Sequence, residues 1–141
     1  MTKFIAIVLI SFLSLAAQAQ EATSAAFSAF GGKPGIAKLM DDFMPRLMAD
    51  ARMAPFFKDT NQQNFKDQLG AQFCVVLGGG CKYEGADMKT VHAQFDINKG
   101  HFNILVEVLQ NSMTAQGIPF GAQNTLLAKL APMHRDIINV K

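Results

Sequence analysis

The apolar residues of this chain recur at helical spacing, and this periodicity limits the fold more than any other feature of the sequence. Between residues 36 and 47 they fall three or four positions apart, as a helix with one buried face requires. The members of this stripe are Ile36, Leu39, Met40, Phe43, Met44 and Leu47. No segment alternates apolar and polar residues for long enough to form a strand. The chain is therefore predicted to be all-α.

Glycine and proline divide this pattern into separate helices. A short helix over about residues 25–30 is expected to end at Gly31-Gly32, because paired glycines enter the left-handed region without steric cost. The next helix, about Pro34–Ala49, begins with a proline in its first turn, and Pro45 inside it is expected to bend or tighten it. Three longer helices are predicted over about Gln62–Leu77, Asn98–Gln116 and Gly121–Asn139.

Residues 1–19 have the composition of a secretory signal peptide. Lys3 supplies the positive start, an uncharged apolar run extends from Phe4 to Ala17, and Ala17-Gln18-Ala19 is a small-x-small cleavage site. The apolar run is too short for a membrane span, which needs about 20 residues. We therefore expect export to the periplasm or out of the cell, with cleavage near Ala19.

The rest of the chain is long enough for one domain with one core. We expect an N-terminal extension with a short helix over residues 20–29 and a globular domain over residues 30–141. Loss of Lys3 lowers the formal net charge from +2 to +1. So small a charge argues against a nucleic-acid partner, which requires a basic face.

The two cysteines, Cys74 and Cys81, lie on either side of the flexible run Gly78-Gly79-Gly80. An exported protein meets an oxidising compartment, where such a pair can form a disulfide. Disulfide geometry is strict, however, and the sequence does not test it. The alternatives are therefore a Cys74–Cys81 disulfide and two unpaired thiols with Cys74 buried.

Of the three histidines, His92 is the strongest candidate for a ligand. It lies four residues after Met88 on a short helix that Asp87 can cap, so Met88 and His92 point to the same side. One ring nitrogen can then bond to a backbone carbonyl while the other points outward, as in haem and metal ligands. The ordinary alternative is a histidine in a plain hydrogen bond. We expect His101 to be solvated and His134 to be a boundary residue with a polar partner.

The residue types near His92 favour a porphyrin over a zinc ion. Zinc needs three or four ligands, and no set of His, Cys and acidic residues has suitable spacing. A single histidine with many Phe, Met and Leu residues suits a flat apolar cofactor with one axial ligand. Covalent haem attachment through Cys-x-x-Cys-His is excluded because that motif is absent. Gln72 interrupts an apolar stripe, and it either lies at the rim or lines a cavity.

Several short motifs occur in order along the predicted domain. They are Phe30-Gly31-Gly32, Asp41-Asp42-Phe43-x-x-Arg46-Leu47-x-Ala49-Asp50, Ala54-Pro55-Phe56-Phe57-x-x-Thr60-Asn61, Leu77-Gly78-Gly79, Tyr83-x-Gly85 and Met88-Lys89-x-Val91-His92. Each motif alone is weakly specific. Together, from about Phe30 to Val140, the chain resembles the group I truncated haemoglobins, compact globins with a two-over-two helical sandwich around a haem.

This resemblance implies a non-covalent haem b, with His92 as the proximal iron ligand and Phe57 packed on the haem. It also implies further haem contacts on the two sides of the pocket. The matching positions are Phe65, Leu69 and Phe73 on the distal helix and Met88 and Phe102 on the proximal side.

Three distal positions depart from the family pattern and carry no hydrogen-bond donor. Met44 stands where the family usually has a tyrosine, Leu69 where glutamine is common, and Phe65 lies nearest the ligand. A missing hydrogen bond of roughly 1.5–3 kcal/mol predicts weaker oxygen binding, faster release and easier oxidation. Gln68 or Gln72 could supply a donor instead. Met44 either fills the space of the lost ring or itself ligates the iron.

We therefore predict a monomeric globin that reversibly binds oxygen, carbon monoxide or nitric oxide at a five-coordinate iron. The alternative is an exported electron-transfer protein with a redox partner, in which His92 and Met44 are the axial pair. A third hypothesis is an enzyme that dioxygenates nitric oxide or reduces peroxide. It is less favoured because the distal positions named above hold no acid or base group.

Overall fold

The computed structural model describes residues 18, 20, 21 and 23–141, which fold as helices joined by turns. The predicted signal peptide, residues 1–19, lies outside the described residues except for Gln18. The first helix, α1, includes residues 18, 20, 21 and 23–29 among those described. The others are α2 (Gly32–Ala49), α3 (Ala54–Phe57), α4 (Gln62–Val76), α5 (Met88–His92), α6 (Lys99–Ala115), α7 (Phe120–Leu130) and α8 (His134–Ile137). The described residues contain no strand, and the all-α prediction is confirmed. None of these described helices is long and apolar enough to cross a membrane.

A glycine-rich corner joins α1 to α2. Gly31 and Gly32 have φ values of +80° and +64°, in the left-handed region that glycine adopts without steric cost. A β-carbon on Gly35 would come within 1.8 Å of the Phe30 carbonyl oxygen, so only glycine allows α2 to start this close to the end of α1. The predicted break at the glycine pair is confirmed, although α2 begins at Gly32 rather than Pro34.

Helix α2 is the element against which both α4 and α6 pack. It runs through Pro45 without interruption, and its apolar stripe is buried as the periodicity predicted. Burial of a Leu or Phe side chain stabilises a fold by about 1.5–3 kcal/mol, so this stripe contributes much of the core energy. Other helices complete the main core with Phe73, Leu109, Met113 and Leu126, among others.

Polar side chains cap the N-termini of α4, α5 and α6. The Asn61 side chain accepts a hydrogen bond from the Asn64 backbone N–H at 2.9 Å. Asp87 and Asn98 cap α5 and α6 in the same manner. These bonds satisfy amide hydrogens that have no partner within the helix.

His101 was expected to be solvated, and this expectation is wrong. The His101 Nδ1 accepts a hydrogen bond from the Asn98 backbone N–H at 3.3 Å, which completes the α6 cap. Its ring is half-buried and lies edge-on to Phe56, with the ring centroids 4.8 Å apart. The reason is positional, because His101 precedes Leu105 by four residues and so lies on the same helix face.

The predicted last helix, Gly121–Asn139, is divided in the structure. Helix α7 ends at Leu130, a 3₁₀ turn covers Ala131–Met133, and α8 follows. Pro132 lies in this turn, and it has no amide hydrogen to donate to the carbonyl four residues earlier, which favours the end of α7 there. His134 has the polar partner expected of it, since its Nδ1 lies 2.8 Å from the Ala131 carbonyl oxygen.

A disulfide joins the C-terminal part of α4 to the loop that leads to α5. Cys74 and Cys81 are bonded, and their Cα atoms are 5.8 Å apart, within the usual range. Cys74 is buried in the core and Cys81 packs against it. The enclosed turn uses Gly78 and Gly80, whose φ values of +74° and +71° favour glycine. Of the two alternatives that the sequence left open, the structure has the bonded pair.

Breaking this disulfide is expected to destabilise the protein. The cysteines are seven residues apart, and closing so short a loop restricts the unfolded chain by roughly 2–3 kcal/mol. Reduction, or the Cys81→Ser substitution, should therefore lower the free energy of unfolding in guanidinium by about 2 kcal/mol. The double variant Cys74→Ala/Cys81→Ala is the control, because reductant should not change its unfolding. Equal stability of the wild type with and without reductant would contradict the bond.

Candidate functional site

Helix α5 carries the candidate ligand, and its N-terminal end is held by Asp87. Asp87 Oδ1 accepts from the Thr90 N–H at 2.9 Å, and Oδ2 accepts from the Thr90 hydroxyl at 2.7 Å. The hydroxyl bond and then the backbone bond hold the pKa of the Asp87 carboxyl below its ordinary value, so the carboxylate that caps α5 stays ionised to a lower pH than an ordinary aspartate does. A helix of five residues is too short to be stable alone, so α5 depends on such bonds.

The imidazole of His92 is oriented by a single short hydrogen bond. Its Nδ1 lies 2.6 Å from the carbonyl oxygen of Met88, one turn earlier on α5. A hydrogen on Nδ1 leaves the Nε2 lone pair free for a metal. No hydrogen bond to Nε2 is found among the described residues. The His92 side chain is half-buried, so the core does not enclose it.

Large apolar side chains that the core does not fully enclose form the rest of the candidate site. Phe57, Phe65 and Leu69 are half-buried and pack against the edge of the main core. The rings of Phe57 and Phe65 meet edge to face, with centroids 5.1 Å apart. Met88 and Phe102 are also half-buried but lie outside that core cluster. Partly open Phe, Leu and Met side chains of this kind suit contact with a flat apolar group.

Two predicted pocket residues are fully buried rather than half-open. Phe73 is 1% exposed and belongs to the main core, so in this structure it is a core residue of α4. Met44 is also 1% exposed, and it lies on the buried stripe of α2 with Met40, Phe43 and Leu47. Met44 is therefore packed inside the protein.

The two glutamines considered as distal donors have other neighbours. Gln72 is buried, and its Nε2 donates to the Sδ atoms of Met88 at 3.3 Å and Met133 at 3.5 Å. Thioether sulfur is a weak acceptor, so this amide is poorly satisfied for a buried group. Gln68 Oε1 lies so close to Gly85 that a β-carbon there would come within 2.7 Å of it. Because Gln72 is buried, the solvated rim position is wrong.

Two residues with a structural role at the site were missed from the sequence. Met133 reaches Gln72 from 61 positions further along the chain. Asn139, which the sequence placed only at a helix end, donates to the His92 carbonyl oxygen at 2.9 Å. Neither pairing has a local sequence signal, because both depend on how the last helices return to α4 and α5.

The chemistry of this residue set points to one axial ligand. The described residues contain no group of three or more His, Cys, Asp or Glu side chains that could hold a metal ion. A histidine whose Nε2 has no hydrogen bond among the described residues, together with half-buried Phe, Leu and Met side chains, is the set of residues that a porphyrin needs, because it brings its own four nitrogen ligands and needs apolar walls. The residues present therefore fit a haem with His92 as its protein ligand.

Comparison with known proteins identifies the family. A family model described as bacterial-like globin matches residues 25–139. A group 1 truncated hemoglobin from Mycolicibacterium paratuberculosis is 31% identical over 111 residues, 79% of this chain and 82% of that protein. Another, from Nostoc commune, is 25% identical over 116 residues, 82% of this chain and 98% of that protein.

Solved structures show the same architecture. The truncated hemoglobin of Tetrahymena pyriformis, in its Fe(III) form, superposes with a TM-score of 0.77 at 22% identity, covering 81% of this chain and 97% of that one. The 2/2 hemoglobin of Synechococcus, in the cyanomet state and with covalently attached heme, gives 0.75 at 18% identity, covering 81% and 98%. The fold is thus the all-helical two-over-two globin fold. The chain belongs to the bacterial-like globins and, within them, to the haem-binding group 1 truncated haemoglobins.

Proposed function

We propose that this globin binds a diatomic gas reversibly at a five-coordinate haem iron, with His92 as the proximal ligand. The observation that carries the proposal is the 2.6 Å contact between His92 Nδ1 and the Met88 carbonyl oxygen. It fixes the tautomer and the orientation of the ring, as second-shell partners do for metal-bound histidines. When bound, the haem supplies the iron at which oxygen, carbon monoxide or nitric oxide binds.

The haem is proposed to be haem b, held without a covalent link to cysteine. Cys74 and Cys81 are bonded to each other, so neither thiol is available to add to a haem vinyl group. The holding forces are then the His92 bond and apolar contact with Phe57, Phe65 and Leu69, together with Met88 and Phe102. The Synechococcus protein has covalently attached heme, so the mode of attachment is a point on which this chain is proposed to differ from it.

The distal side is proposed to be apolar, which weakens the binding of oxygen because no side chain donates a hydrogen bond to it. Met44, Phe65 and Leu69 offer no donor to the partial charge on bound oxygen. Gln72 directs its amide nitrogen to two methionine sulfurs, and Gln68 lies against Gly85. Oxygen should therefore dissociate faster than from relatives with a distal hydroxyl, whereas carbon monoxide, which is less polar when bound, should be little affected.

A second candidate function is electron transfer with a redox partner, with His92 and Met44 as axial ligands. It is favoured by the burial of Met44, which is 1% exposed and carries a thioether that can serve as an axial haem ligand. A His/Met pair raises the reduction potential of haem iron, as in cytochromes c. This candidate needs the Met44 sulfur to reach the iron from α2.

Export is part of the proposal as well. The basic start at Lys3, the apolar run and the Ala17-Gln18-Ala19 site support a removable signal peptide. The Cys74–Cys81 disulfide suits an oxidising compartment such as the periplasm.

The visible spectrum of the ferrous protein separates the two candidate functions. We expect five-coordinate high-spin iron in the wild type and in Met44→Ala. Met40→Ala is the matched control, because Met40 is an equally buried methionine of the same helix that belongs to the main core. A six-coordinate low-spin wild type whose sixth ligand is lost in Met44→Ala, but not in Met40→Ala, would contradict gas binding and establish the axial pair.

Replacing Met44 with tyrosine should restore a distal donor. A hydrogen bond to the partly charged ligand is worth roughly 1.5–3 kcal/mol, so Met44→Tyr should slow oxygen dissociation about ten- to hundredfold. Met44→Phe is the control, since it adds the same ring without the hydroxyl. Stopped-flow rates for oxygen and carbon monoxide are the measurement. Equal oxygen dissociation from the tyrosine and phenylalanine variants would mean that position 44 does not face the bound gas.

A further inference from the structure

Asn139 lies in the tail after α8 and bonds to the segment that follows the candidate ligand. Its Nδ2 donates to the carbonyl oxygen of His92 at 2.9 Å and to that of Phe95. Its Oδ1 accepts from the Ile97 N–H at 2.8 Å, and its own backbone N–H donates to the Ile97 carbonyl at 3.0 Å. One side-chain amide therefore holds three backbone groups of residues 92–97.

This bonding pattern requires an amide at position 139. The carbonyls of His92 and Phe95 need an N–H donor, and the Ile97 N–H needs an acceptor. Among side chains of this length only asparagine supplies both. Aspartate would keep the acceptor but would place a negatively charged oxygen against two carbonyl oxygens.

The C-terminal end of α5 has two donors outside the helix. The last carbonyl groups of a helix accept no hydrogen bond within it, and the His92 carbonyl oxygen accepts one from the Phe95 backbone N–H at 3.1 Å as well as the one from Asn139. Asp87 holds the first turn of α5, whereas Asn139 bonds the carbonyl of His92, its last residue. Asn139 is exposed, so water can replace its bonds and its loss should leave the fold intact.

We infer that Asn139 is a positioning residue for His92: it fixes the backbone of residues 92–97 and thereby the direction in which His92 presents Nε2. The inference rests on the proposed function, because it takes His92 as the ligand to the haem iron. The competing role for Asn139 is only to anchor the tail. The Val140 N–H already contributes to that anchoring through its 3.2 Å bond to the Ile97 carbonyl oxygen.

The test compares haem-loaded wild type, Asn139→Asp and Gln123→Glu. Gln123 is a matched control, because its Nε2 also donates to a backbone carbonyl, that of Ile118 at 2.9 Å, at the α6–α7 corner. The readouts are the iron–histidine stretching band in the resonance Raman spectrum of the ferrous protein and the rate of haem loss to an acceptor globin. Asn139→Asp should shift or broaden the band and speed haem loss roughly tenfold. Gln123→Glu should keep the wild-type band even where it lowers the melting temperature.

Two outcomes would overturn the inference while leaving the proposed function standing. One is a wild-type band and haem-loss rate in Asn139→Asp, which would leave Asn139 as an anchor of the tail. The other is an equal band shift in Gln123→Glu, which would indicate general loosening. A wild type with no iron–histidine band would instead refute the proposed function itself. If Asn139→Asp does not fold, Asn139→Ala is judged by the same criteria, since it removes the donor without adding charge.

Discussion

The hydrogen bond from His92 Nδ1 to the Met88 carbonyl oxygen determines how this globin can use His92 as a ligand. The bond selects the tautomer in which Nε2 carries the lone pair. Donor and acceptor lie on the same short helix, so the bond has a fixed direction only if the helix itself is fixed. Asp87 secures one end of that helix and Asn139 secures the other. The position of α5 therefore depends on hydrogen bonds from Asp87 and Asn139, which lie outside the helix.

The other helices form the hydrophobic core and leave several apolar side chains half-buried at its edge. Helix α2 packs against α4 and α6, and this contact buries most of the large apolar side chains. Phe57, Phe65 and Leu69 lie at the edge of that core, half-buried, where they can contact a cofactor. The Cys74–Cys81 disulfide fixes the start of the loop between α4 and α5. Through that loop the core helices limit where α5 can lie.

The parts of the structure that depend on local chemistry could be predicted from the sequence. The buried stripe of α2, the glycine corner at Gly31-Gly32 and the Asp87 cap all follow from residues within one or two turns of one another. The His92–Met88 bond follows as well, because the two residues are four positions apart. The division of the last helix had a local signal too, Pro132, which the apolar periodicity alone did not show.

The contacts between residues far apart in the sequence could not be predicted in this way. Asn139 and His92 are 47 positions apart, and Met133 and Gln72 are 61 apart. Such pairs depend on the path of α7 and α8, which periodicity does not determine. The burial of Phe73 could not be predicted either. Phe73 belongs to the main core, and which apolar residues of α4 face the core depends on how the helices pack.

Replacing His92 itself tests its role as the proximal ligand. His92→Gly leaves space that free imidazole can occupy. Ferrous His92→Gly should lose the five-coordinate histidine spectrum and the iron–histidine band, and added imidazole should restore the spectrum and gas binding. A His92→Gly protein that holds haem with the wild-type spectrum in the absence of imidazole would show that His92 is not the ligand.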